Sequence, residues 1–514
     1  MDPACIACGL VSGGRRDYLG PVRNVLKNVL LVAVSILLCT AAAEAVVRWL
    51  DSSEDLAARQ YLDKIPLAPG VERAWFAEEP PPLPNRHAVP AEWRALDREI
   101  EQSGVSGPTR RADAFKAWNS VFVGDPCQHP YLKEAPGRLF VYDPPDGSPR
   151  PPYRFLPDAT SPIGLVTNAY GFRGPPVPAA RQPKTIRIAF VGASTTVASH
   201  DLPYSYPEYV GQWLNRWAAA QKLDVRFEVL NAGRESINSV DIAAIMREEV
   251  APLEPDLVVY YEGANQFDLR SLVPNLPPPQ QSYAEQVEKK QPGFFGRILR
   301  DLAYEYALAR RLQGLLASGE VRQDGGEWKK PDYKLVWPKG LDERDPDLTR
   351  ADLPVNLPNI LRDLDRIRAT TTSIGSELAL SSFVWLVSDG MVLDPERHRG
   401  ILEYLNIGYS PFRYRDLARL AAFQNRVFAK YAAEHKIAFL DLAHWMPQDP
   451  SLFIDAIHGT PEGVRLHGWI MFQLLVPLIQ AHLADGTWPR KEFPPAPALA
   501  PFKPRQITFD CKKK

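Results

Sequence analysis

The chain has 514 residues, with 60 Lys and Arg against 61 Asp and Glu, 45% hydrophobic and 24% charged residues. That length exceeds one minimal core, so one large domain with appendages, or two domains, is expected. The near-zero charge balance excludes the basic footprint that nucleic acid demands, and 50 prolines are about twice the usual share of roughly 5%, which points to linkers.

Cys5, Cys8, Cys39, Cys127 and Cys511 are odd in number and scattered, so no disulfide framework is expected. Cys5 and Cys8 form a CxxC pair, but no second pair follows to complete a four-thiolate zinc site.

Val29 to Val47 is apolar except for Glu44, and Arg15, Arg16, Arg23 and Lys27 precede it. At 1.5 Å per residue this run is about 28 Å long, close to a hydrocarbon core. Residues 28–48 are therefore expected to be a transmembrane signal anchor, with 1–27 cytoplasmic by the positive-inside rule and everything after it periplasmic or extracellular. A cleaved signal peptide is the competing reading, since Ala41 and Ala43 supply small residues of the A-x-A kind. The apolar run continues beyond that point through Val47, which favours the anchor.

Residues 49–160 are broken by proline clusters at Pro80 to Pro84 and Pro144 to Pro152, and read as a spacer with small packed pieces. Trp75, Trp93 and Trp118 argue against simple disorder there. From Lys184 onward, short apolar runs alternate with amphipathic segments. Ile186–Val191, Val225–Leu230, Leu257–Tyr261, Leu378–Val387 and Ile437–Leu440 read as strands. Helices are expected through Tyr209–Trp217, Ile242–Val250, Leu417–Tyr431 and Ile470–Leu478. Such alternation predicts an α/β fold, a three-layer α/β/α sandwich around a parallel sheet, over residues 161–485. The alternation lapses between 267 and 352, which reads as an insertion with a helical stretch at Phe295–Leu316. Residues 486–514 read as a C-terminal tail with an unstructured end.

Ligands collect beyond the carboxyl ends of parallel strands. The first three strands here run into Gly192-Ala193-Ser194, Asn231-Ala232-Gly233-Arg234-Glu235-Ser236 and Glu262-Gly263-Ala264-Asn265-Gln266. A serine just past a buried strand, opening a helix, is exposed to substrate and flanked by backbone N–H groups able to hold an oxyanion. Standing alone it would be a helix cap. A serine needs a base, and Asp455 and His458 are spaced so that one turn lets a carboxylate orient an imidazole. His200 and His467 read as surface or packing histidines. No GxSxG, HExxH or GxxxxGK[ST] occurs, so neither a metal nor any other cofactor is expected.

The order Gly-x-Ser, Asn-x-Gly, Gly-x-Asn and Asp-x-x-His resembles the four blocks of the SGNH/GDSL-like serine hydrolase superfamily, over roughly Asn168 to Leu483. Asn168-Ala169-Tyr170-Gly171-Phe172-Arg173 and Thr460-Pro461-Glu462-Gly463 look like flanks seen in membrane-anchored or exported members. The resemblance implies Ser194 as nucleophile, His458 as general base and Asp455 as its orienting acid. It implies oxyanion donors from the Ser194 N–H and the Asn265 side chain, with a third from the second block. There the family's glycine position is Ser236, and Gly233 matches an earlier small residue. A serine can present its N–H only if its φ and ψ permit the turn. The implied activity is an extracytoplasmic carboxyl-ester hydrolase removing acyl groups from an envelope glycan or lipid. An O-acyltransferase using the same site, and an inactive envelope binding or assembly protein, are the alternatives.

Overall fold

The computed structural model describes residues 19–52, 58–89, 138–143, 150–275 with gaps at 152–153, 156, 162–163 and 199–203, 325–499 without 395–397, 503–508, and single positions 91, 94 and 308. The Phe295–Leu316 helix expected from sequence, His200, Trp93, Trp118 and the CxxC pair lie outside the described residues, Leu308 excepted.

In chain order the strands are β1 (Arg138–Asp143), β2 (Thr185–Gly192), β3 (Arg226–Asn231), β4 (Leu257–Tyr261), β5 (Glu377–Ser381), β6 (Ala438–Leu440) and β7 (Lys503–Thr508). The helices used below are α1 (Leu19–Ser52), α2 (Ser194–Val197), α3 (Tyr206–Ala220), α4 (Ser239–Ile245), α5 (Leu357–Ser373), α6 (Arg399–Glu403), α7 (Tyr414–Glu434), α8 (Leu442–Trp445) and α9 (Pro461–Asp485). Strands β2 to β6 form one five-stranded sheet in the order β3-β2-β4-β5-β6. Every pairing in it is parallel. The expected α/β architecture with helices flanking a parallel sheet is therefore present.

The apolar runs become strands because both faces of the sheet are covered. Every residue of β2 and β4 is buried. The run Leu378–Val387 is an exception in length: the strand stops at Ser381, and the following residues stay buried without joining the ladder. Helix α3 packs against α9, and α4 against α5. Capping boxes start α3, at Ser205 with Glu208, and α4, at Asn238 with Asp241. Between α3 and α9 the Trp213 and Trp469 rings meet edge to face at 5.0 Å. Residues 58–89 belong to this core: Trp75 and Phe76 are buried, and the Trp75 carbonyl accepts from Trp213 Nε1 at 2.9 Å.

Lys27–Val47 within α1 is long and apolar enough to span a membrane, and large side chains such as Leu30, Leu31, Ile36 and Leu37 are exposed. Helix α9 meets the same criterion of length and composition, but its buried residues make it a core helix of the sandwich. Strand β7, in the segment expected to be an unstructured tail, pairs antiparallel with β1 in a separate two-stranded sheet.

Strand order reverses at β2, whose neighbours β3 and β4 follow it on opposite sides. Such a switch point opens a crevice at the strands' carboxyl ends. Ser194 follows β2 directly, and the loops after β3 and β4 flank it.

Candidate active site

Ser194 opens the single-turn helix α2, and it is 6% exposed. The turn from strand to helix is tight, and Gly192 makes it feasible. A Cβ at Gly192 would lie 2.1 Å from both Thr196 Oγ1 and the Tyr261 carbonyl oxygen. Thr196 Oγ1 donates to that carbonyl at 3.0 Å, tying α2 to the end of β4. Arg173, from the loop before β2, donates to the carbonyls of Val197 and Ala198 at the far end of α2. Its guanidinium Nε lies 3.3 Å from Glu208 in the first turn of α3. The Ser194 turn is thus clamped at both ends.

His458 and Asp455 lie in the segment between α8 and α9. That loop is pinned by backbone bonds from Ile454 N–H to the His458 carbonyl at 2.9 Å and from Leu386 N–H to the Ala456 carbonyl at 2.8 Å. Thr460 caps α9 by accepting from Gly463 N–H at 3.2 Å, and Pro461 takes the first helical position. Asp455 Oδ1 accepts the backbone N–H groups of Ile457 at 2.9 Å and His458 at 2.8 Å. Its Oδ2 lies 2.7 Å from His458 Nδ1. Burial pushes the Asp455 carboxyl up, but the His458 charge and these hydrogen bonds outweigh it and hold the group below its ordinary range. An ionised carboxylate can only accept, so Nδ1 carries the hydrogen and Nε2 is left to accept. Ser194 Oγ lies 2.9 Å from that Nε2. Ser194, His458 and Asp455 are therefore brought together as one relay.

The loop after β3 contributes Ser236, which takes a left-handed φ of 57° and is exposed. The conformation that a glycine would adopt freely is thus adopted by a serine, at a cost of roughly 1 kcal/mol. Its anchor is the preceding Arg234, buried and ion-paired with buried Glu249. Gly233 needs correction as an oxyanion donor: its N–H is donated to Asn231 Oδ1 at 3.1 Å. Its role is close packing, since a Cβ there would lie 2.5 Å from the Val197 nitrogen. Asn231 itself, to which sequence reasoning gave no role, donates from Nδ2 to the Thr196 carbonyl at 3.0 Å and to Ser205 Oγ at 3.1 Å.

Asn265 is exposed in the loop after β4, and its Nδ2 donates to the Ile237 carbonyl at 2.8 Å. An amide nitrogen carries two hydrogens, so this bond orients the group while leaving the other hydrogen for a ligand. Gln266 accepts from Ser239 N–H at 2.6 Å and so joins the second and third loops. His467 is buried in α9, with its ring stacked on Tyr206 at 4.0 Å. Burial lowers its pKa to about 3, so it stays neutral as a packing group. Among the described residues no cluster of His, Cys, Asp and Glu is arranged to hold a metal ion.

No family model matches the chain, and no curated protein matches it. Among solved structures it is similar to several esterases and lipases. An acetylxylan esterase from Geobacillus stearothermophilus shares 15% identity over 57% of this chain and 94% of that one, with a TM-score of 0.31. A GDSL-like lipase from Bacteroides thetaiotaomicron shares 13% identity over 59% of this chain and 92% of that one, with a TM-score of 0.28. A lipase/acylhydrolase from Enterococcus faecalis shares 15% identity over 56% of this chain and 94% of that one, also with a TM-score of 0.28.

Proposed function

We propose that this protein is a carboxyl-ester hydrolase working through an acyl-serine intermediate. The observation that carries this reading is the relay from Ser194 Oγ to His458 Nε2 at 2.9 Å and from His458 Nδ1 to Asp455 Oδ2 at 2.7 Å. In the first half-reaction Ser194 Oγ bonds to the carbonyl carbon of the ester as its proton passes to His458 Nε2. The oxyanion is held by the N–H groups of Ser194 and Ser236 and by the Asn265 amide. The bond to the alcohol then breaks, and His458 returns the proton to the departing oxygen. Water repeats the sequence on the acyl-serine and releases the acid. Asp455 fixes the imidazole orientation and stabilises its charged form without taking the proton.

The apolar helix α1, with its basic flank, supports a membrane tether that leaves the α/β domain outside the cytoplasm. A tethered hydrolase meets substrates near the membrane, so acyl groups on an envelope glycan or lipid are the proposed targets.

Turnover of acetyl and long-chain p-nitrophenyl esters by wild type and Ser194→Ala tests the reading. The substitution removes one hydroxyl beside the crevice and should leave the fold intact while lowering kcat by on the order of 10³ or more. Equal turnover by the two proteins would sink it.

A further inference from the structure

Glu262, the residue directly after β4, is buried although no Lys or Arg pairs with it among the described residues. Its Oε1 turns back onto its own loop and accepts the N–H groups of Ala264 at 2.9 Å and Asn265 at 2.8 Å. A carboxylate taken out of water without a cation is costly, so its persistence at this position calls for a role that an apolar residue could not fill. The two N–H groups it holds belong to the turn that carries Asn265.

We propose that Glu262 is the positioning residue of the oxyanion site: by accepting both N–H groups it fixes the Gly263–Asn265 turn and so aims the Asn265 amide at the reacting carbonyl. This deepens, and rests on, the ester-hydrolase reading. Other contacts brace the turn from outside. Gln424 Nε2 donates to the Gly263 carbonyl at 2.7 Å, and Gln266 accepts from Ser239 N–H. Among the described residues, Glu262 is the group that acts from inside the turn, on the backbone of Asn265 itself. A side-chain amide that strays by an ångström loses most of its value to a transition state.

Burial pushes the Glu262 carboxyl up to about 7, against the hydrogen bonds from Asn265, Ala264 and Gly263 and the charge of His458. The other titratable groups interacting with it are Tyr404 and Tyr409 from the segment after α6, and Tyr260 and Tyr261 from its own strand. Burial raises the pKa of all four tyrosines and keeps them neutral. The ionised carboxylate is the stronger acceptor. The hold on the turn therefore tightens as pH rises through about 7.

The test compares wild type with Glu262→Gln, which keeps an acceptor without charge, and Glu262→Met, which keeps the size without an oxygen. At pH 8 Met is expected to lower kcat about 10-fold or more with KM changed less than twofold, and Gln to recover kcat to within about threefold of wild type. The wild-type kcat profile should depend on one more ionisation near pH 7 than that of the Gln variant. Amide hydrogen exchange over residues 263–266 should accelerate in Met and not in Gln, and this readout needs no turnover. Should the Met variant not fold, Glu262→Asp takes its place, because the shorter side chain withdraws the carboxylate from both N–H groups. A Met or Asp variant with wild-type kcat and unchanged exchange overturns the assignment of Glu262, as does a Gln variant no better than either. Wild type that turns over no ester overturns instead the hydrolase reading on which the assignment rests.

Discussion

His467 offers a quantitative check on which imidazole does chemistry. Its ring is buried, stacks on Tyr206 at 4.0 Å and meets Tyr261 edge-on at 4.8 Å. Its Nε2 has no hydrogen-bond partner, so a proton there would place an unpaired charge in an apolar layer. Burial takes its pKa from 6.5 to about 3. Between those values the unfolded chain binds a proton that the folded protein refuses. The stability this neutral ring contributes is complete above the unfolded value and is lost as pH falls. The expected slope is about 1.4 kcal/mol per pH unit, reaching on the order of 4 to 5 kcal/mol once pH falls below the folded value. Replacing the ring by one that cannot ionise, as in His467→Phe, removes that slope whatever it does to stability at neutral pH. Denaturant unfolding of both proteins at half-unit steps from pH 7 to pH 4 measures the difference directly. Parallel wild-type and variant curves would refute the burial argument and reopen a proton-transfer role for His467.

Other substitutions probe the frame around Ser194. Gly233→Ala forces a methyl group against the Val197 nitrogen and the Thr196 side chain. It should destabilise the protein by about 1 to 3 kcal/mol and lower activity in parallel, read as a fall in melting temperature beside kcat. Asp455→Asn keeps shape but loses the charge that orients His458. It should reduce kcat by on the order of 10³ with an unchanged circular dichroism spectrum. A variant within tenfold of wild type would show that His458 is held by other means.

Much of the fold could be read from residue order. Uninterrupted apolar runs such as Leu257–Tyr261 mark strands covered on both faces, and that run coincides with β4. The long run at Leu378 misleads about strand length because burial, which hydrophobicity reports, continues past Ser381 while ladder pairing does not. The Ser194, His458 and Asp455 side chains were all nameable from type and spacing, and the structure brings them within hydrogen-bonding distance. Gly233 and Ser236 could not be separated that way. The choice depends on a backbone φ at Ser236 and on an Asn231 side chain that captures the Gly233 N–H, and neither property is local to the motif. Arg173 was visible only as part of a flank, because its targets at Val197 and Ala198 lie across the fold. Glu262 drew no attention because a glutamate after a strand is ordinarily solvated. Its burial depends on packing from parts of the chain that are distant in sequence.

The central claim is that the Ser194 hydroxyl is activated by His458. Labelling the full chain with a fluorophosphonate probe, followed by peptide mapping, tests it most directly. The account predicts one adduct, on Ser194, formed at a rate that collapses in His458→Ala. No adduct on Ser194, or equal labelling with and without the imidazole, would contradict it.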